Sequence, residues 1–440
     1  MASPPGVATL PGQMTEVVVH ALARRYPHVH LHVVLELRAP YPREALVDAL
    51  ARTLADFPVL AARYVPGWWR DRWVPTGVGA DELVETITVE DPVADRVAAH
   101  VGRTFDHLTE PSVRLLQVEG AGDTRLVISV HHMVSDGAGC LTLANVLGAH
   151  LCGGEPRAPV GAARSHLAVL RGLRTRDLPL LLLEVIREGI QPWSILRVRR
   201  RDREFPRVDG PAVPAWQSVR LTGEAAERFA GWCRAHGATI NDGLVAAMMR
   251  ISAARTANGP VAAAYTIDTR RYLARPRSLI SNLVGVSMVV LPRTRVTSAL
   301  EALRAVSARI GVQKRRLPGL AYNVLPSLSF GWMPHGIIRR VGDRAIHTIL
   351  GYQARALAVT NIGAMDGYLA PFGDRVVSAS VLGPFIRGAP APVVVATGFR
   401  GGLTLHVCAG GQFEAGTLAE LANELQGVLT DLNDGTEGTR

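Results

Sequence analysis

Two adjacent stretches decide how this chain is to be read: RLVISV at residues 125–130, and directly after it HHMVSDG at 131–137. The first is a short aliphatic run of the kind that forms a buried strand. CLTLANVLGAHL (140–151) follows the polar loop and reads as a helix. The order is therefore strand, polar loop, helix. Imidazole titrates near neutrality, so His132 at a strand end can take a proton from an attacking nucleophile. Asp136, four residues on, can fold back in a tight loop and fix its geometry by pairing with an arginine. Gly137 lets another backbone or a ligand come close. The residues alone leave a structural histidine pair and a general base both open. Metal ligation by the pair is disfavoured, because no second cluster of His, Asp and Cys accompanies it.

The rest of the chain bounds the possibilities. Its 440 residues suit two domains of roughly 200 residues each. With 48% hydrophobic and 20% charged residues it is a well-packed globular protein, not a disordered one. The net charge of +10, carried almost wholly by arginine, favours an anionic partner. Nucleic acid, anionic lipid, coenzyme A and an acidic carrier protein would each satisfy it. No helix-turn-helix, zinc finger or aromatic RNA-binding motif accompanies the charge, which sets nucleic acid aside. The cysteines, Cys140, Cys152, Cys233 and Cys408, are dispersed without a CxxC pair. They read as buried, reduced thiols of a cytoplasmic protein, not as metal ligands or a disulfide framework. The N-terminal residues carry no secretory signal. The longest apolar run, Leu178 to Ile186, contains Pro179 and Glu184 and is too short to span a bilayer.

Periodicity places the remaining elements. ALVDALARTLADFPVLAARY (45–64) is an amphipathic helix stopped by Pro58 and turning into a strand. Between Arg164 and Arg203 apolar stretches alternate with arginines. Packing within the fold plus a solvated linker is the preferred reading there, with an interfacial membrane helix as the alternative and a peripheral membrane contact as its consequence. The proline-rich, aperiodic EFPRVDGPAVPAW from Glu204 marks a boundary, giving lobes of 1–205 and 206–440. Helices are expected from Gly223 to His236, from Asn241 (as N-cap) to Ala257, and from Ala415 to Leu432. Strands are expected at Val261–Ile267, Val284–Leu291 (with Gly285 a possible bulge), Ala356–Thr360, Val376–Leu382, Pro392–Phe399 and Leu403–Ala409. Both halves mix strands and helices, so two α/β or α+β lobes are expected.

HHMVSDG resembles the HHxxxDG motif of the superfamily that contains chloramphenicol acetyltransferase, nonribosomal-peptide condensation domains, polyketide-associated acyltransferases and wax ester synthase/diacylglycerol acyltransferases. Its surroundings are similar in the same order. TFDHLTEPSVRLLQVEG (104–120) resembles the segment before the histidine strand, and residues 45–64 the first long helix. TINDGLVAAMMR (239–250) is similar to the Asn-Asp helix start of the wax ester synthase branch. ISNLVGVSMVVLP (280–292) resembles the Gly-Asn segment, with Ser281 where glycine is usual, and VTNIGAMD (359–366) the Ser-Asn-Leu-Gly loop.

The resemblance implies two acetyltransferase-like lobes in a V, with the active site in the channel between them. It implies His132 as catalytic base and His131, Asp136 and Gly137 as the residues that shape its loop, with Arg270 or Arg271 paired to Asp136. Asn241, Asp242, Asn282 and Asn361 enter as structural supports, and the hydroxyls of Ser287 and Thr360 as candidates for holding the oxyanion. No permanently bound cofactor is expected. The donor is a phosphopantetheine thioester, either acyl-CoA or an acyl or peptidyl carrier protein. The expected activity is acyl transfer to a hydroxyl or amine of a small-molecule acceptor, in specialised metabolism. Wax ester or diacylglycerol synthesis, a noncatalytic carrier-docking role and a condensation-like cyclisation are the alternatives.

Overall fold

The computed structural model describes residues 9–434 except 26–28, 162–163, 165–166, 171, 184–185, 187–196, 199–204, 206–207, 209–213, 257, 276, 321–326, 328–329, 343–354, 387–388, 390, 412 and 415. Most of the basic linker and its boundary at residues 204–215 lie outside the described residues.

The strands run in chain order as β1 (Leu10–Pro11), β2 (His30–Leu37), β3 (Ala62–Val65), β4 (Arg72–Pro75), β5 (Val84–Thr88), β6 (Val113–Gly120) and β7 (Asp123–His131). They continue as β8 (Ala215–Leu221), β9 (Pro260–Asp268), β10 (Val284–Pro292), β11 (Leu357–Ala364), β12 (Val376–Leu382), β13 (Val393–Phe399) and β14 (Gly402–Ala409). The longer helices are α1 (Met14–Arg25), α2 (Arg43–Asp56), α3 (Val93–Gly102), α4 (Gly137–Cys152), α5 (Glu224–Ala235), α6 (Ile240–Ala254), α7 (Ala299–Lys314) and α8 (Thr417–Asp434). Among the described residues no helix is long and apolar enough to cross a membrane.

A five-stranded sheet, ordered β12-β2-β7-β6-β5, builds the first lobe, with β1, β4 and β3 forming a small sheet beside it. The second lobe holds six strands in the order β10-β9-β11-β13-β14-β8. The expected two-lobed α/β architecture is the one observed. In the first core, Leu46, Ala49 and Leu50 of α2 form the apolar stripe that the 3–4 spacing predicts, and Pro58 opens a one-turn helix that leads into β3. α4 is buried along most of its length and lies so close to Phe372 that a Cβ on Gly148 would sit 2.4 Å from the ring. In the second core α5, α6, α7 and α8 cover one sheet face through Phe229, Val245, Met249, Val306 and Leu425.

Several sequence-based expectations change. Val376–Leu382 is a strand at the expected bounds, but β12 pairs antiparallel with β2 and completes the first sheet, so one strand of the 206–440 half crosses into the first lobe. Its buried Val376, Ala379 and Val381 belong to the first core. Strand periodicity reports which face is covered, not which sheet the strand joins. Asn241 is not the cap of α6. Thr239 caps it, its Oγ1 accepting from the Asp242 N–H (3.3 Å) while Asp242 Oδ2 accepts from the Thr239 N–H (2.8 Å). Cys152 is exposed, unlike the buried thiols of Cys140, Cys233 and Cys408. Residues 178–183 are helical, yet only Leu181 packs inward; Leu178, Leu182 and Leu183 face solvent.

Gly285 makes no bulge. β9 and β10 keep an unbroken register from Val284↔Asp268 to Pro292↔Pro260. The glycine is required because the backbone of Gly319 crosses there, and a Cβ would come within 2.5 Å of the Gly319 Cα. Gly285→Ala should therefore destabilise the protein by about 1–3 kcal/mol. Gly311→Ala, on a helix with open space around the new Cβ, should instead stabilise it by about 0.4–1 kcal/mol. Denaturant midpoints at constant slope measure both.

Candidate active site

β7 ends at His131, and the chain turns at once, the Val134 N–H donating to the His131 carbonyl at 3.1 Å. The His132 N–H donates to the Val29 carbonyl (3.0 Å), which fixes the turn to the first lobe. The His132 ring lies 2.7 Å from the carbonyl of Ser135 through Nδ1. A carbonyl can only accept, so Nδ1 carries the proton and the Nε2 lone pair is left for a substrate. Asn282 Nδ2 also approaches Nδ1, at 3.4 Å, but two donors make no bond there. Its real partner is the His132 backbone carbonyl at 3.0 Å. Burial lowers the His132 pKa from its ordinary 6.5, against the opposing pull of the Ser135 carbonyl and Asp136. The ring is consequently neutral at pH 7.

Asp136 holds this loop to the second lobe. It is the N-cap of α4, with Oδ1 accepting from the Gly139 N–H at 2.8 Å. Oδ2 accepts from Arg270 Nη1 (2.9 Å) and from the Leu283 N–H (2.6 Å). Of the two candidate arginines it is Arg270 that pairs. Its Nη2 donates to the Ser281 carbonyl (2.7 Å), and Nη1 also reaches Asp268 (3.2 Å). Arg271 lies instead on a cavity of about 540 Å³ with Asn241, Tyr265, Asp268, Lys314 and Asn361. His132 lines neither this cavity nor a larger one of about 810 Å³ between α5 and the β13–β14 turn. The smaller cavity meets the histidine loop through Asp268, which shares Arg270 with Asp136.

The other expected residues fall into place as follows. Gly137 faces β11, where a Cβ would meet the Ile362 side chain at 3.0 Å. Asn361 Oδ1 accepts from the Gly363 N–H (3.0 Å) and shapes the irregularity at the end of β11. Asp242 is buried, caps α6 and lies 3.6 Å from Lys314 Nζ. Ser281, in the place of the usual glycine, uses its hydroxyl to hold the Arg164 carbonyl at 2.8 Å. Ser287 is opposite Tyr265 across β9–β10 and shares its face, where Tyr265 bonds Gln313 of α7; this is the helix-covered side of the sheet. Thr360 is on the other face of β11 from the buried Leu357 and Val359. Lys314 and the role of Asp268 carried no sequence motif.

Behind His131 lies a group of buried histidines that no motif marks. His131 stacks against His30 (ring centroids 5.1 Å apart) and His107 (5.0 Å). His107 Nε2 is 2.8 Å from His20 Nδ1, and Ser129 Oγ joins His32 (2.7 Å) to His100 (3.0 Å). Only the two-residue spacing of His30 and His32 on β2, which gives them one face, was a readable signal.

No family model and no curated protein matches the sequence. Solved structures do match over nearly the whole chain. The trichothecene 15-O-acetyltransferase TRI3 of Fusarium sporotrichioides superposes with a TM-score of 0.71 at 12% identity, covering 98% of this chain and 96% of that one. The first condensation domain of the CDA synthetase gives 0.68 at 16%, covering 98% of each. Polyketide synthase associated protein 5 of Mycobacterium tuberculosis gives 0.66 at 15%, covering 98% and 100%. The fold is the two-lobed one of these acetyltransferase and condensation-domain structures.

Two outcomes follow from this geometry. Arg270→Ala leaves Asp136 buried without its cation and should cost about 3–5 kcal/mol in chemical denaturation. Burial sets His20, His100 and His107 each at about 4, and His107 adds to the shift of His20. The unfolded chain takes up those protons near 6.5. The stability from burying neutral rings is thus whole above pH 6.5 and is lost as pH falls through 4. Melting temperature should fall steeply across that window, and replacing His100 by a neutral isostere such as Gln should flatten the fall.

Proposed function

We propose that the protein is an acyltransferase that moves an acyl group from a pantetheine thioester to a hydroxyl or amine, with His132 as general base. One observation carries the reading: the Ser135 carbonyl fixes the proton on Nδ1, so a neutral imidazole presents Nε2 as acceptor. The acceptor's O–H or N–H gives its proton to Nε2 while its lone pair attacks the thioester carbonyl. Collapse of the tetrahedral adduct breaks the C–S bond, and the thiolate leaves with the proton that His132 returns. The likeness of fold to an acetyltransferase and to condensation domains is consistent with this chemistry.

The donor's phosphates are assigned to the 540 Å³ cavity, where Arg271 and Lys314 supply positive charge. Either coenzyme A or a carrier-borne arm satisfies that chemistry. Epimerization and cyclization domains share the fold, so a condensation-like reaction by the same base is the second reading.

Purified protein incubated with acyl-CoA and acyl-carrier donors should release free thiol and form an acylated product. His132→Ala should lower kcat by about 10²–10⁴-fold. Equal turnover by both proteins would remove His132 as the base. Lys314→Ala should raise the donor KM roughly ten-fold at little cost in kcat, the pattern of a lost binding contact. The acid limb of kcat/KM should lie below pH 6.5, the direction in which burial moves His132.

A further inference from the structure

The most solvent-exposed aromatic rings among the described residues lie together though far apart along the chain. Trp69 is 68% exposed and Trp332 73%, with Trp68 and Phe330 each at 50%. Their two segments are tied by backbone bonds. The His335 N–H donates to the Trp69 carbonyl (3.1 Å) and the Gly336 N–H to the Trp68 carbonyl (2.9 Å). Arg70 clamps the pair by donating to the carbonyls of Met333 (2.7 Å) and Gly331 (2.8 Å).

This exposure is built, not frayed. Beneath the loop the carboxylate of Asp71 is buried and accepts from the Tyr64 hydroxyl, Arg339 and the Gly67 N–H (2.8 Å). Arg339 also holds the Gly67 carbonyl at 2.9 Å. A buried ion pair between the two segments thus fixes a platform whose indoles point to water. Burying them would stabilise the free protein, so their exposure serves something outside it.

The chemistry of the rim selects the partner. Arg70 and Arg340 are exposed, Arg340 lies over the Trp68 ring (5.3 Å to its centroid), and among the described residues neither has a carboxylate partner. The aromatic residues line neither of the two cavities described above. Indole rings beside the exposed Arg340 match the boundary between lipid headgroups and acyl chains, where the ring has an apolar body and a polar edge and the guanidinium meets phosphate. The chain's excess of +10 acts in the same direction at longer range.

We propose that the face formed by residues 66–70 and 330–340 docks the protein on an anionic bilayer surface, with Trp69 and Trp332 entering the headgroup layer, Arg340 meeting lipid phosphate and Arg70 holding the two segments together beneath them. The contact is peripheral and independent of the acyl-transfer reading.

The test uses the full-length protein and sedimentation with vesicles of phosphatidylcholine alone or with about one third phosphatidylglycerol. The protein should pellet with the anionic vesicles, release at high salt, and shift its tryptophan emission to the blue on binding. Trp69→Ser/Trp332→Ser should bind roughly ten-fold less tightly while keeping its melting temperature within a few degrees, because both rings are mostly exposed. A Leu178→Ser/Leu182→Ser variant, altering the other exposed apolar segment, should bind as the wild type does. The proposal is overturned if the wild type stays in the supernatant, or if the tryptophan variant pellets equally. It is overturned also if only the leucine variant loses binding, or if light scattering shows a self-association that the tryptophan substitutions abolish without any vesicle binding.

Discussion

The arrangement of this protein depends on one buried ion pair, Asp136 with Arg270. A buried pair seldom stabilises a fold more than apolar residues of the same shape would, because both charges must be stripped of water. Its value lies in what it demands of the surroundings. Asp136 uses both oxygens on the N–H groups of Gly139 and Leu283 and on the guanidinium, and Arg270 uses its second nitrogen on the Ser281 carbonyl. Those partners come from both lobes, so the pair is satisfied at one relative placement only. Position 139 must be glycine for the same reason: a Cβ there would lie 2.4 Å from Ser135 Oγ and 3.2 Å from Arg270. Asn282, next to Leu283, then reaches the His132 carbonyl, and the register between the lobes becomes the position of the imidazole.

The two histidines of the motif divide the electrostatic work. His132 needs a lone pair on Nε2 and a neutral ring, and both follow from partial burial and the Ser135 carbonyl. A cation directly behind it would weaken it as a base. His131 is fully buried, its pKa pushed well below the ordinary value, and it packs against the rings of His30 and His107. Its Nδ1 accepts from the Met133 N–H at 3.1 Å, so it also braces the turn. On the proposed reading the second histidine would act at the substrate while the first braces the turn beneath it. Placing neutral rings so deep makes the first lobe sensitive to acid, a cost tied to the position of the motif at the end of a central strand.

How much of this could be read from sequence depends on range. The strand–loop–helix around HHMVSDG, the helix stopped by Pro58 and most second-half strands follow from local periodicity and were legible. Pairing over long distances was not. TRR at 269–271 offers two arginines of equal promise, and only the one-turn helix at Thr269–Tyr272 aims one at Asp136 and leaves the other on the cavity. β12 has the pattern of any half-buried strand, and nothing in it names β2 as its neighbour. Ser281 looked like a departure from a glycine position, whereas it supplies a hydroxyl to the segment that crosses between the lobes. The tryptophans at 68 and 69 were the least legible of all, since adjacent large aromatics in a sequence ordinarily signal core.

The positive charge of the chain illustrates the same limit in physical terms. A net excess is a long-range property, whereas recognition is decided by where cations lack acids. At the smaller cavity Arg271 and Lys314 face Asp268, and Lys314 also lies near the buried Asp242, so the field there is only modestly positive. A phosphate proposed for such a site would be held through placed contacts and not through bulk attraction. Arg70 and Arg340 stand in the opposite condition, with no acid partner among the described residues, and Arg340 lies over the Trp68 ring. Composition therefore cannot separate the two proposed uses of the charge: cations placed for contact near the site, and a face that among the described residues has no acid partner.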